Sequence, residues 1–353
     1  MSKIAIPLMG NYEIPATYFL KKVLKQEIIQ TPKITKKTIE LGTKNSPEFV
    51  CTPFKYTLGS FIEALEKGAD TLIQMGGGCR YGYYYELQEQ ILKELGYEFT
   101  LINLVSKGKT DLKKIIKEFK KINLKLSIIK TIYYFLITRK MIYYMDNTED
   151  YMRHNLGFEI EPKMEKYYQK MLKEFSNIKG YFHLKRVYKK YIKKIKKVKV
   201  NKPKNRIKIG IIGELYTIME PFSNYELEKK LLSYHVDITR FTNVKYLLFE
   251  KGKKIKKLLK STKEYVKYKM GADASDNIAR TKYMCKKKYD AIIHIKSTFC
   301  TPEIGAMPII EKICEEYKVP ILFFSFDSQT STTGLQTRLE ALIDMIEMRK
   351  KDE

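Results

Sequence analysis

The sequence holds few of the residues that usually announce a site. It has five cysteines and four histidines in 353 residues, with no CxxC pair and no metal-finger spacing among them. Five is an odd count, irregularly spaced, in a chain too long to depend on disulfides, so metal or redox use of the thiols is a stronger expectation than staples. There is no GxxxxGK[ST] phosphate loop. No Ser-His-Asp or Cys-His set stands beside an activating partner, and no tandem repeat of fixed period is present. Long uncharged runs are missing as well. The greasiest segment, LKLSIIKTIYYFLITRKMIYYM, is cut by Lys125, Lys130, Arg139 and Lys140, well short of the roughly 18 apolar residues a membrane span needs. The opening MSKIAIPLMGNYEIP lacks the longer apolar centre and small-residue cleavage site of a signal peptide. A soluble, cytoplasmic protein with no membrane partner is therefore expected.

Arginine is scarce too: 9 of the 67 basic residues. The net charge is +27, and residues 107–206 alone carry 29 basic against 9 acidic side chains, a local net of +20. Such a region could neutralise phosphates. Arg, however, is the residue that reads bases and grips phosphate in bidentate fashion. A lysine-dominated excess fits a solvated helical face and a coding bias, so nucleic acid is not the expected partner, while an acidic partner or anionic ligand stays open.

What is present divides into three regions. Residues 1–105 alternate short apolar runs (KIAIPLMG, PEFVC, DTLIQMG, EFTLINL) with helix-like stretches (ATYFLKKVLKQ, GSFIEALEKGA, YELQEQILKELGY). Leu87, Ile91, Leu92 and Leu95 keep three-to-four spacing, and Gly96 stops the run. Residues 106–205 read as basic amphipathic helices closed by the linker VNKPKNR. Alternation returns over 206–353 in IKIGIIGE, HVDITR, YDAIIHIKS and VPILFFSF. The pattern predicts an α/β protein: two domains of mostly parallel sheet covered on both faces, with a basic helical insertion between them.

Against that map Cys51 follows PEFV, Cys79 follows DTLIQMGGG, and Cys300 follows DAIIHIKSTF. All three fall just past the C-terminal ends of predicted strands, the edge where open parallel sheets bind ligands. Polar or turn-forming residues follow each of them. Cys285 and Cys314 lie in helical segments and read as packed, inert thiols. Three thiolates fit an iron–sulfur cluster and would leave one iron open to act as a Lewis acid, although spacing alone does not specify one. Glycines 76–78 would let backbone N–H groups approach the sulfides. Lys55 and Arg80 could offset cluster charge or bind a phosphate, or be solvated. Glu214 and Glu303, at strand ends, could serve in proton transfer or cap the following helices. His294 reads as a core histidine.

The blocks GNYEIP, SPEFVCTPFKYTLGSFIEALEKGADTLIQMGGGCRYGYYYELQ, IGIIGELYTIMEPFSNYELEKKL, YDAIIHIKSTFCTPEI and FDSQTSTTGLQTRLEALIDM closely resemble the 2-hydroxyacyl-CoA dehydratase component family, of the 2-hydroxyglutaryl-CoA dehydratase D-component type, and within it the activase-related branch. The likeness covers both α/β regions; the basic middle carries little of it. It implies two Rossmann- or flavodoxin-like domains facing a cleft, with a [4Fe-4S] cluster on Cys51, Cys79 and Cys300. In such proteins one low-potential electron from an ATP-hydrolysing activator turns an acyl-CoA thioester into a ketyl radical, which expels the 2-hydroxyl group. The missing phosphate loop makes this chain resemble the electron acceptor rather than the ATPase, with an acyl-CoA-type substrate and room for a homologous second subunit. Where the family has a DEQT-like block, this chain has Asp327-Ser328-Gln329-Thr330. The alternative readings are a non-catalytic iron–sulfur carrier or assembly subunit and, more weakly, a basic nucleic-acid-binding protein.

Overall fold

A computed structural model describes residues 2–74, 79–106, 109–110, 112–251 and 255–352. The chain divides into two compact units, one comprising residues 1–142 and 172–184, the other 143–171 and 185–353.

In the first unit, strands β1 (Lys3–Ala5), β2 (Glu27–Ile28), β3 (Thr71–Gln74) and β4 (Thr100–Asn103) form an all-parallel sheet in the order β2-β1-β3-β4. Neighbouring residues of a strand face opposite ways, and each face has its own core. Ala5 and Leu72 pack with Phe54, Leu58 and Phe61 of α3 (Thr52–Glu66) and Leu92 of α4 (Tyr84–Glu94). Ile4, Ile73 and Ile102 point the other way, onto Leu20 and Leu24 of α1 (Glu13–Leu24) and Phe119 of α5 (Leu112–Ile122). Each such side chain removed from water contributes about 1.5–3 kcal/mol, and coverage on both faces explains why β3 reads as an unbroken apolar run.

Helix α3 is buried along almost its whole length because α2 (Lys36–Lys44) lies against it at close range. A Cβ on Gly42 would meet the Lys55 carbonyl oxygen at 1.8 Å, and one on Gly59 would meet the Thr38 carbonyl oxygen at 1.9 Å. The strand expected at 47–50 does not form. Those residues make a turn between α2 and α3: Pro47 lacks a donor for a ladder, and Phe49 is 70 % exposed.

The second unit repeats the order. Strands β7 (Lys208–Gly213), β8 (Asp237–Arg240), β9 (Ala291–Ser297) and β10 (Ile321–Phe326) are parallel and run β10-β9-β7-β8. Counted within its own sheet, each unit therefore runs second, first, third, fourth, the doubly wound order whose topological switch lies between the first and third strands. Two α/β sheets, all parallel, match the expectation. Helices α12 (Ala274–Lys286) and α13 (Thr301–Glu316) pack on one face through Ile278, Met284, Ile310 and Ile313.

Between the sheets the chain forms an antiparallel pair, β5 (Val105–Ser106) with β6 (Lys109–Thr110), then helices α5 to α8. Helices α6 (Ile128–Arg153), α7 (Met164–Phe175) and α8 (Tyr181–Lys196) each span the division between units. Within the second unit this region is tied to the sheet at Asp237, the first residue of β8, which meets His154 at 2.5 Å, Arg206 at 2.6 Å and Lys202 at 2.9 Å.

Candidate functional site

At the switch point of the first unit, β3 ends at Gln74 and the chain re-emerges at Cys79. Gly76–Gly78, expected to donate N–H groups there, lie outside the described residues. Cys79 precedes a short 3-10 turn, Arg80–Tyr83, that runs into α4. Cys51 is the N-cap residue of α3, with extended backbone and Pro53 in the first turn, a geometry that stops any preceding element and points N–H groups outward. Its sulfur stands 3.0 Å from the Tyr84 hydroxyl. Burial, then the charge and hydrogen bond of Cys51, push the Tyr84 pKa well up, so this hydroxyl keeps its proton and is a donor to the sulfur whenever Cys51 is a thiolate. Tyr84 was not among the sequence candidates; the Tyr83–Tyr85 run after Cys79 was the only signal. Arg80 is exposed and lies close enough to act electrostatically on Tyr84. Lys55, one turn into α3, is 8 % exposed, and among the described residues its ammonium has no ion-pair partner.

In the second unit the switch lies between β7 and β9. Gly213 ends β7 at φ +140°, and a Cβ there would meet the Ile295 oxygen at 1.7 Å. This close approach turns the chain into Glu214, whose carboxylate caps α9 (Leu215–Met219) by accepting from the Tyr216 N–H at 2.8 Å and the Thr217 N–H at 3.0 Å. Burial raises the Glu214 pKa and the nearby Glu303 carboxylate adds to it, against those hydrogen bonds.

Cys300 is the N-cap residue of α13. Glu303, one turn on, is buried and accepts from His294 Nε2 at 2.8 Å and from the Asn277 amide at 3.0 Å, while that amide also reaches the Gly213 oxygen at 2.9 Å. This ties the end of β7 and the start of α13 to one carboxylate. Lys296, buried in β9, donates to the Thr298 oxygen at 3.1 Å; burial lowers its pKa, and Cys300 and Glu303 pull it back up. Asn277 and Lys296 are not among the sequence candidates; the polar His294, Lys296 and Ser297 within the strand AIIHIKS are a signal for Lys296, and nothing in the sequence signals Asn277. The Asp327–Thr330 block forms a turn after β10: Asp327 accepts from the Gln329 N–H at 2.9 Å and the Thr330 hydroxyl at 3.0 Å.

The five thiols fall into two sets. None of the five is in a disulfide; Cys51, Cys79 and Cys300 are half-buried, whereas Cys285 and Cys314 are buried within the core. The Cys285 sulfur and burial together push the Cys314 thiol up, which leaves it inert. Among the described residues no group of three or more His, Cys, Asp or Glu side chains stands ready for a metal ion. The donor chemistry of the first set still suits an iron–sulfur cluster. These are half-buried thiols: Cys79 and Cys300 follow β3 and β9, while no strand leads into Cys51, against expectation. Cys51 and Cys300 open long helices whose N-terminal dipole favours thiolate, with Tyr84 beside one and Lys296 near the other.

Two doubly wound, all-parallel α/β units, with Cys79 following β3 in one and Cys300 following β9 in the other, define a class of two-unit parallel-sheet proteins. The family model for the 2-hydroxyglutaryl-CoA dehydratase, D-component, matches residues 28–346, and the chain belongs to that family. Membership associates it with the dehydratase components of 2-hydroxyacyl-CoA dehydratases, which work with an activator partner. No curated protein matches the chain. No described helix is long and apolar enough to cross a membrane.

Proposed function

We propose that this chain is the electron-accepting component of a 2-hydroxyacyl-CoA dehydratase-type system, holding a [4Fe-4S] cluster on Cys51, Cys79 and Cys300. It takes low-potential electrons from an ATP-hydrolysing activator and acts on an acyl-CoA-type substrate by dehydration or a related reduction. The observation that carries this reading is the split among the thiols: the three half-buried ones open helical segments, and the other two are sealed in a core. When bound, the cluster supplies a low-potential one-electron centre with one iron open to a substrate oxygen.

The remaining roles belong to the chain's own residues. Tyr84 donates to the Cys51 sulfur and withdraws charge from it. Lys296 sets a positive charge near Cys300. Lys55 and Arg80 offset cluster charge or bind an acyl-CoA phosphate. Glu303 is committed to His294 and Asn277 and positions the turn that carries Cys300. Glu214, its pKa raised by burial, caps α9 at the end of β7 and is placed there to serve in proton transfer.

Anaerobic purification with iron and sulfide analysis and EPR after reduction tests the reading. Expected are about four irons per chain, lost in Cys51→Ser, Cys79→Ser and Cys300→Ser but retained in Cys314→Ser. Iron-free, folded anaerobic protein would overturn it, and steep salt-sensitive RNA binding by that protein would favour the nucleic-acid reading. A cluster whose EPR signal shifts with acyl-CoA marks the enzyme; one indifferent to every acyl-CoA marks a carrier.

A further inference from the structure

The first half of α6 is apolar on both sides, and among the described residues only one side is covered. Thr131, Ile137 and Met141 are buried, and Tyr134 and Phe135 meet Tyr18 and Phe19 of α1 at ring-centroid distances of 6.2 and 6.3 Å. At about 100° per residue the opposite stripe carries Ile128, Ile129, Ile132, Tyr133 and Leu136, exposed to between 47 and 81 %. The chain at Gly180 passes close to Tyr133, where a Cβ would stand 3.4 Å from the hydroxyl, and Phe182, two residues on, is 82 % exposed. Residues 118–142 and 176–184 supply seven basic side chains and one acidic, Glu118, which pairs with Lys121 at 2.9 Å; Lys130, Arg139 and Lys140 lie on α6 itself.

We infer that this stripe is a docking face for a helix of another protein, apolar along its centre and carboxylate-bearing along its rim. The charge decides the partner's chemistry. A second copy would bring the same basic rim against itself, which is repulsive. Ile128, Ile132 and Leu136 form an i, i+4, i+8 ridge, the row that fits between the ridges of a facing helix and the anchor spacing of helix-in-groove recognition. A bilayer needs no such ridge, and the chain has no tryptophan, a residue enriched where proteins meet the lipid interface. The stripe is mostly aliphatic, so it offers little for stacked bases. The face lies wholly in the first unit and uses none of the thiols, so it stands independently of any cluster.

The test uses the full chain and a fluorescent helical peptide of about 18 residues, with Leu at i, i+4, i+7 and i+11 and Glu on both flanks, against the same peptide flanked by Lys. Anisotropy should show saturable binding of the Glu-flanked peptide, at least about tenfold tighter than its Lys-flanked twin and weakened by salt. Ile129→Asp and Ile132→Asp, both at solvent-facing positions, should each cost about tenfold or more with circular dichroism and melting temperature unchanged. Absence of saturable binding, equal affinity for the two peptides, or indifference to both substitutions overturns the inference. So does a dimer in sedimentation that Ile132→Asp dissolves, which would name a second copy. Cosedimentation with phosphatidylglycerol vesicles that Ile129→Asp abolishes would name a membrane instead.

Discussion

The Tyr84 hydroxyl stands 3.0 Å from the Cys51 sulfur and, with its pKa pushed up by burial and by that sulfur, remains a donor through the whole working pH range. A hydrogen bond to a charged acceptor is worth about 1.5–3 kcal/mol, and roughly 1.4 kcal/mol corresponds to one pKa unit. In Tyr84→Phe the Cys51 thiol should therefore titrate about one unit higher. The check is the pH profile of Cys51 alkylation by iodoacetamide, read by peptide mass spectrometry. An unchanged profile would mean that the bond does not act on the thiolate. No sequence pattern reveals this contact, because it joins residues 33 positions apart through the approach of α3 to α4. His294 differs. Its placement in an apolar strand suggested a core histidine, and it is fully buried, but its bond to Glu303 depends on where α13 begins.

At the scale of elements, the paths into and out of each sheet do most to set the candidate site. Gly213 adopts φ +140° with the Ile295 oxygen where its Cβ would be, so Gly213→Ala should cost more than about 2 kcal/mol, seen as a lower midpoint in urea with little change in slope. Asp237 holds the helical region of its unit to β8. Burial alone would raise its pKa, but hydrogen bonds from His154, Arg206 and Lys202 outweigh burial and hold it well below the usual carboxylate range. Because the folded pKa is depressed, the stabilisation is present above the unfolded value near 3.8 and is lost as pH falls through and below it. Asp237→Asn should accordingly melt lower than the parent at pH 7, by an amount that shrinks toward pH 3; a constant gap would show that the charge is not what matters.

The same scale explains what could be read in advance. Strands β3, β4 and β7 to β10 announced themselves as short apolar runs closed by turn residues, since both faces of each sheet are covered. Helix α2 did not, because KKTIELGTK is polar over most of its surface and packs through Gly42, a residue that signals a break rather than a contact. The run at 47–50 has strand-like composition but no neighbour to pair with.

For the whole molecule, the two units repeat one strand order and distribute the five thiols unequally between sheet edge and core. That distribution has a direct chemical consequence. A thiol must reach solvent to be alkylated; Cys285 and Cys314 are at most 4 % exposed and, on opposing helices, cannot do so without unfolding of that core. In native, iron-free protein near pH 8, Cys51, Cys79 and Cys300 should be labelled with iodoacetamide at least about a hundredfold faster than Cys285 and Cys314, consistent with opening free energies of several kcal/mol in a folded core. Denaturant should bring all five to similar rates. Reconstitution with iron and sulfide under argon should then protect the fast three together, since thiolates bound in one cluster are withdrawn from alkylation as a set. Protection of only Cys51 and Cys79, with Cys300 still fast, would break the proposal that the three serve a single centre and would leave the second unit's sheet edge to some other ligand.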